Sequence, residues 1–439
     1  MMKINFADRG PAIKPMHGVG QPPFSGMDTS MIHYLGDAGI PFSRLHDVGG
    51  ALGGGMFVDV PNVFPDFDAD VDDPNSYIFG FTDHLLASLV KNGVEPFYRL
   101  GVTIENYHNI HAYRIFPPKD NLKWAQICEH IIRHYTEGWA NGFRWNIRYW
   151  EIWNEPDNSD EIANNPMWKG TMQQYFDLYG TASKYLKERF PHHRIGGYAS
   201  CGFYAITGEF VPSAGFTNAR AEYFNTFFDE FLKYVKADGC PLDFFSWHSY
   251  DSIKNTGKFA HYAREQLDKY GFTDTETTCN EWNCAPHLRG TAKHAAYTAA
   301  MLCAMQQMPL DSAMFYDARF GTSMYGGLFN PMTGEPLGAY YAFVAFNELY
   351  KLGREVSVEM NTAFCADAPQ IEPFVLAARS ETKGAVLVVN ATSTVMPFDL
   401  RADGALTSCR LTDKDHTYAE TAAPAVLPPE SFVLLEYAL

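Results

Sequence analysis

Apolar positions recur along this chain with two alternating periods. Short runs that alternate or stay continuously apolar are each followed by a longer stretch whose apolar residues fall three and four apart. Eight strand-like runs stand out, at residues 16–20, 41–47, 94–100, 149–155, 194–199, 242–250, 275–282 and 312–317. Helical patterns follow them at 31–38, 81–91, 122–140, 172–189, 222–236, 258–270, 293–307 and 340–349. Strand and helix in strict alternation, eight times, predict a (β/α)8 barrel, a TIM barrel, over residues 16–349. A doubly wound sheet would also alternate, but it carries a Gly-rich phosphate turn after its first strand. Here that position reads His17-Gly18-Val19-Gly20-Gln21-Pro22-Pro23, whose spacing differs and whose prolines spoil a helix start. Beyond about residue 355 the texture changes. Apolar runs at 374–378, 385–389, 397–400 and 432–435 have no helix between them. Residues 350–439 therefore read as an all-β sandwich domain, with residues 1–15 expected to lend it a strand.

The fourth run, Tyr149-Trp150-Glu151-Ile152-Trp153-Asn154-Glu155-Pro156-Asp157, carries the densest chemistry. Period two puts Trp150, Ile152 and Asn154 on one face and Glu151, Trp153 and Glu155 on the other. Pro156 removes a backbone donor and ends the ladder near Glu155. The carboxyl ends of barrel strands are where TIM-barrel chemistry sits. There strand two offers Arg44 and His46, strand four Asn154 and Glu155, strand six His248 and Tyr250, and strand seven Glu281 within Asn280-Glu281-Trp282-Asn283. Strands four and seven lie on opposite arcs of the mouth. Two facing carboxylates are what glycoside hydrolysis requires: one protonates the departing oxygen, and the other attacks the anomeric carbon or activates water. Trp153, Trp247, Trp282 and Tyr316 are candidate flat faces for sugar C–H groups.

Composition narrows the partners. Thirty-four basic residues against 51 acidic ones give a formal charge of −17, which argues against nucleic acid and anionic membranes and mildly against polyanionic substrates. The 439 residues are 46% hydrophobic and 15% aromatic, enough for a large core and aromatic-lined clefts. Eight cysteines are scattered with no C-x-x-C pair, as in a reducing, cytoplasmic compartment. The first residues lack the apolar core of a signal peptide, and no apolar run is long enough to span a membrane. Asp66, Asp68 and Asp70 begin like a calcium loop, but Val71 and Tyr77 stand where Gly and Glu are needed. His130 and His134 are one helical turn apart without a third ligand and read as a solvated helix face. No metal and no cofactor are expected.

The segments Trp150-Glu151-Ile152-Trp153-Asn154-Glu155-Pro156-Asp157, Trp247-His248-Ser249-Tyr250 and Asn280-Glu281-Trp282-Asn283 resemble the clan A glycosidases. They are most similar to family 39, which includes β-xylosidases and α-L-iduronidase. Gly326-Gly327-Leu328-Phe329-Asn330 and the stretch from Pro336 to Phe343 resemble that family's barrel ending. The resemblance implies Glu155 as acid/base, Glu281 as nucleophile, Asn154 on the sugar 2-hydroxyl, Arg44 and Tyr250 orienting the nucleophile, and His248 in the same sugar pocket. It also implies retention of anomeric configuration, and with these roles an ionised Glu281 would raise the Glu155 carboxyl by like-charge repulsion and keep it protonated, while Arg44 would favour the charged form of Glu281. Two features depart from the family: the Gly/Pro/Asp-rich insertion at 49–76, and a sixth strand without the basic residues associated with iduronidase.

The reading is thus a cofactor-free, retaining, exo-acting β-glycosidase, β-xylosidase-like, acting on a glycan or glycoside. Its expected site is Glu155 and Glu281 for catalysis, with Arg44, His46, Asn154, His248, Tyr250, Trp282 and Tyr316 binding substrate. Rival readings are a β-glucosidase-, arabinosidase- or iduronidase-like specificity, a catalytically silent carbohydrate-binding barrel, and a metal-dependent barrel hydrolase. Self-association is left open.

Overall fold

Eight parallel strands close on themselves: Gly18–Gly20, Phe42–Leu45, Glu95–Leu100, Tyr149–Ile152, Arg194–Ser200, Phe244–Ser249, Glu276–Trp282 and Ser312–Tyr316, each paired with the next and the eighth with the first. This computed structural model describes residues 1–24, 28–46, 58–103, 114–320, 325–360 and 373–439. The barrel is the expected (β/α)8 fold, and its helices follow the apolar period closely. Helix Met172–Arg189 starts at a capping box, with Thr171 accepting from the Gln174 amide and the Gln174 side chain accepting from the Thr171 amide. Asp120, Thr217, Ser252 and Thr291 cap the starts of four other barrel helices in the same way, by accepting from backbone N–H groups. The helix expected over 122–140 stops at Thr136, because Gly138 takes φ +81° and turns the chain into a short 3-10 segment.

Phe42, Phe97, Phe244 and Met314, from the second, third, sixth and eighth strands, cluster inside the barrel and, with Tyr149, plug its amino end. The inward positions one step further along the strands are polar: Arg44, Arg99 and Glu151. Inside the barrel, charge thus replaces apolar packing on the way toward the mouth.

The additional β region is a sandwich. Its main layer is a six-stranded antiparallel sheet centred on Phe374–Arg379, Lys383–Asn390, Ser431–Ala438 and Ala405–Thr412. Period-two alternation splits its side chains between two cores. Leu376, Leu387, Val389 and Leu434 join the barrel's own core beneath helices Ala292–Gln307 and Gly338–Leu352. Ala377, Val386, Val388, Val433 and Leu435 pack on Met2 and Ile4 of a three-stranded second layer. In that layer Met2–Ile4 pairs antiparallel with Val358–Met360 and parallel with Leu400–Ala402.

Two expectations change. His130 and His134 are buried, not solvated. His134 stacks on Phe79 at 3.6 Å and bonds Asp83 at 2.9 Å, while His130 reaches Asp72 at 3.2 Å. Of the 49–76 insertion, residues 49–57 lie outside the described residues. The rest packs Val58, Val60, Val63 and Phe64 into the core. Asp66 and Asp70 accept backbone N–H groups two residues on, and Asp68 pairs with Lys119 at 3.1 Å. No helix among the described residues is long and apolar enough to cross a membrane.

The shared core makes a stability prediction. Leu387→Ala removes a buried side chain where the sheet meets the barrel helices, and it should cost about 2–5 kcal/mol in denaturant unfolding. Leu406→Ala, at a position 46% exposed on the same sheet, should cost less than about 0.5 kcal/mol. Equal losses for the two would mean that the sheet does not share the barrel's core.

Candidate active site

Local backbone irregularities aim the two glutamates. Simple alternation would point Asn154 and Glu155 to opposite faces, but the fourth strand ends at Ile152 and the chain then takes φ +75° at Trp153 and +45° at Glu155. Non-glycine residues rarely adopt such angles, and each costs on the order of 1–3 kcal/mol that the surroundings must offset. The result brings Asn154 and Glu155 together at the mouth. In the seventh strand Trp247 pairs with Cys279 and His248 with Glu281, so Asn280 is an extra residue. This bulge lets Asn280 and its neighbour Glu281 both reach the barrel interior.

Arg44 joins these pieces. Its fully buried guanidinium donates from Nε to Glu151 Oε2 at 2.7 Å, from Nη1 to Glu281 Oε1 at 2.8 Å and from Nη2 to Asn154 Oδ1 at 2.6 Å. Glu151, also fully buried, accepts from Asn280 Nδ2 at 2.6 Å through its other oxygen. The second oxygen of Glu281 accepts from Tyr250 OH at 2.6 Å. Burial and the Glu281 charge push the Tyr250 phenol well up, so it stays a donor.

His248 stands between the two carboxylates. Its Nδ1 lies 2.7 Å from Glu155 Oε1 and its Nε2 3.5 Å from Glu281 Oε1. The other oxygen of Glu155 accepts from Asn158 Nδ2 at 2.6 Å. Burial alone would lower the imidazole, but the Glu281 and Glu155 carboxylates outweigh it and raise His248 above its usual 6.5. Burial alone would raise Glu155, but the bond and charge of His248 hold it below its ordinary value. For Glu281 burial wins over His248 and Arg44, and this carboxyl is raised. The expectation that Glu281 holds Glu155 protonated is therefore corrected: the interposed imidazole reverses the order of the two carboxyls. Behind Glu155, the buried Asp157 accepts from Ser200 Oγ at 2.8 Å and is pushed up to about 7, by burial first and then by the Glu155 charge.

Of the expected site residues, Arg44, Asn154, Glu155, His248, Tyr250 and Glu281 form one bonded cluster. His46 borders it, with Nε2 4.0 Å from Glu281, and burial followed by the Arg44 and Arg99 charges keeps its ring neutral. Tyr316 also borders it, its hydroxyl accepting from Gln21 at 2.7 Å and its ring 6.5 Å from that of Tyr250. Trp282 is a correction. It is fully buried outside the barrel wall, 5.3 Å from the Phe315 ring and 6.5 Å from Phe343, because it follows the inward Glu281 on a pleated strand. Trp153 and Trp247 are likewise core: Trp153 packs on Trp168, and Trp247 on Phe203 and Phe259.

Glu151, Asn280 and Asn158 were missed. For the first two the signal was available, since both are polar residues in the middle of otherwise apolar strands. Among the described residues, oxygens of Glu155 and Glu281 and a ring nitrogen of His248 lie within 4.8 Å of one another, a spacing that a metal ion could use. Arg44 already holds a positive charge 2.8 Å from Glu281, which makes the cluster a poor cation site and a good proton-handling one.

Comparison with known proteins adds to this geometry. Glycosyl hydrolases family 39 matches residues 54–314. A beta-xylosidase of Geobacillus stearothermophilus is 25% identical over 225 residues, 49% of this chain and 39% of that protein. One of Caldicellulosiruptor saccharolyticus is 26% identical over 250 residues, 52% of this chain and 45% of that protein. The matches thus span less than half the length of these curated relatives. Among solved structures, a glucosidase from Croceicoccus marinus superposes with a TM-score of 0.78 at 20% identity, covering 100% of this chain and 98% of that one. A monomeric beta-xylosidase from Caulobacter crescentus CB15 gives 0.69 at 15%, covering 100% and 99%. The structural likenesses are likenesses of fold. The family match covers more than half of the chain and contains both glutamates, and on that ground the chain belongs to glycosyl hydrolases family 39.

Proposed function

We propose that this chain is a retaining, exo-acting β-glycosidase of β-xylosidase-like type, with Glu281 as nucleophile and Glu155 as acid/base. The observation that carries the reading is the spacing of the two carboxylates around His248, with the cluster's ligand atoms within 4.8 Å. Retaining glycosidases hold their carboxyls about 5–5.5 Å apart, whereas inverting ones leave about 6.5–9.5 Å for a water. The xylosidase names of the relatives support a pentose-like sugar, and the barrel-mouth position supports a glycan or glycoside as the partner.

In this reading Glu281 attacks the anomeric carbon, oriented by Arg44 on one oxygen and Tyr250 on the other. Asn154 has its Oδ1 engaged by Arg44, so its Nδ2 donates to the sugar 2-hydroxyl. The proton for the departing oxygen is stored on His248 Nδ1 and reaches the oxygen through Glu155. Glycosylation then removes the Glu281 charge, and Glu155 accepts a proton from the attacking water. Residues from about 350 onward form a separate β unit that contributes packing or rim contacts, and its sheet has no residue in the carboxylate cluster. The seven described cysteines are all free, which supports a reducing, cytoplasmic setting.

Nitrophenyl glycosides, with β-xyloside first, test the activity, and early NMR spectra should show release of the substrate's own anomer. An inverted first product would remove Glu281 as nucleophile. Glu155→Ala should lose about 10²–10⁴-fold on poor leaving groups, where protonation matters, and much less on a dinitrophenyl glycoside. Azide should restore turnover of that variant and give a glycosyl azide of the original configuration. Glu281→Ala should be inactive on every substrate, and azide should give the opposite anomer. Equal losses on good and poor leaving groups in Glu155→Ala, with no azide effect, would reject the assignment.

The pH profile should be a bell. Its acid limb reports Glu281, which must be ionised; because that carboxyl is raised, activity should fall with decreasing pH already above 4.5. Its basic limb reports loss of the proton shared by His248 and Glu155; because the imidazole is raised, that limb should lie above 6.5. Glu155→Ala with a dinitrophenyl glycoside should keep the acid limb and lose the basic one. An acid limb at or below 4.5 would contradict a buried, raised Glu281.

A further inference from the structure

Beside Glu155 opens a chamber of about 400 Å³ whose lining includes Glu155 and reaches Tyr250 at its edge toward the nucleophile, but not Glu281, Arg44 or Asn154. In a double displacement the sugar lies over the nucleophile and the departing half lies beside the acid/base. On the proposed roles, the chamber is therefore the seat of the leaving group. Its walls are aromatic, from Tyr204, Phe216, Phe224 and Tyr325, and two guanidiniums stand among them, Arg220 and Arg289.

These arginines differ from those of the barrel interior. Arg44 faces Glu151 and Glu281, Arg99 faces Asp59, and Arg319 pairs with Asp317. Among the described residues, neither Arg220 nor Arg289 has a carboxylate within ion-pair distance. Arg220 spends its donors on neutral oxygens: Asn158 O at 2.5 Å, Asn158 Oδ1 at 2.7 Å and Gly215 O at 2.6 Å. Arg289 donates from Nη2 to Cys284 O at 3.1 Å, and among the described residues its buried Nε and Nη1 have no acceptor. Aromatic rings hold both in place, with Arg289 5.1 Å from the Tyr325 ring centre and Arg220 5.3 Å from that of Phe216. Among the described residues the lining holds one carboxylate, Glu155, and it is engaged by His248 and Asn158. In a chain of formal charge −17, the chamber is a local concentration of unneutralised positive charge with donors left over.

We propose that this chamber recognises a carboxylate on the departing half of the substrate, with Arg289 as the specificity-determining residue. The substrate class is a glycoside whose leaving group is a ring bearing a carboxylate, either an acidic phenol or a uronic acid. The aromatic walls take the ring face, and the guanidiniums take the charge. This rests on the glycosidase reading for the direction in which the substrate lies.

The test compares 4-carboxyphenyl and 4-carbamoylphenyl glycosides of the sugar that the nitrophenyl panel identifies. The neutral amide is the better leaving group, so intrinsic reactivity works against the expected result. The carboxylate should win by about tenfold or more in kcat/KM, mostly through KM, with the ratio shrinking as salt rises. In Arg289→Gln the ratio should fall to about one, and Arg289→Lys should keep part of it. A disaccharide ending in a uronic acid, set against its neutral hexose counterpart, shows which kind of ring gives the larger ratio. Calorimetric binding of 4-hydroxybenzoate against 4-hydroxybenzamide reads the same preference without turnover, and it should show the same loss in Arg289→Gln. Binding preference without hydrolysis would sink the glycosidase reading and leave the anion site standing. Hydrolysis with a ratio of one or less in the unaltered protein, or a ratio unchanged in Arg289→Gln, overturns the proposal.

Discussion

A guanidinium buried at the centre of a barrel is the constraint around which the mouth is arranged. Burying an unpaired charge is far more costly than burying an apolar group, and a buried ion pair holds only when its geometry is good and its remaining donors are met. Arg44 meets that condition with three acceptors from three places: Glu151 inside strand four, Asn154 just beyond it, and Glu281 on strand seven. Satisfying one charge thus sets the relative positions of strands two, four and seven. The bulge at Asn280 and the left-handed φ values at Trp153 and Glu155 accompany this arrangement at the ends of strands four and seven.

The second consequence is electrostatic. Three carboxylates, Glu151, Glu155 and Glu281, converge on one guanidinium and one imidazole. Glu151 is locked between Arg44 and Asn280 in a fully buried position and serves to hold its neighbours. The two outer carboxylates differ because of what lies next to each. Glu155 sits against the ring of His248, while Glu281 is deeper and dominated by burial. A pair of identical side chains is thereby given unequal proton affinity, and the imidazole between them is raised by both carboxylates, which favours its charged form.

The β sandwich shows a different economy. Its main sheet turns alternate side chains into the barrel core, so the two parts share apolar packing instead of meeting at a polar seam. The carboxylate cluster draws nothing from that sheet. Local charge at the mouth is also independent of the net charge of −17: the chamber's arginines lie against aromatic rings and have no carboxylate partners among the described residues. Net charge argues about long-range encounter, while the chamber argues about what is bound on arrival.

The sequence alone determined the barrel, the β sandwich after it and most of the carboxylate cluster. These depend on periodicity and on which polar residues end the strands, and both are local properties of the chain. Glu155, Glu281, Arg44, Asn154, His248 and Tyr250 were legible because a polar side chain at the end of an apolar strand has few places to go. Trp282 is core where substrate contact is expected, and the candidates Trp153 and Trp247 are core as well, because facing depends on register, and one bulged or left-handed residue swaps the faces that follow. The order of the two glutamate pKa values was equally out of reach. It turns on an imidazole whose Nδ1 lies 2.7 Å from one carboxylate and whose Nε2 lies 3.5 Å from the other, a difference created when strands four, six and seven are brought together. Arg220 and Arg289 carry no signal in the sequence; only the tertiary structure sets them against aromatic rings and, among the described residues, opposes neither with a carboxylate.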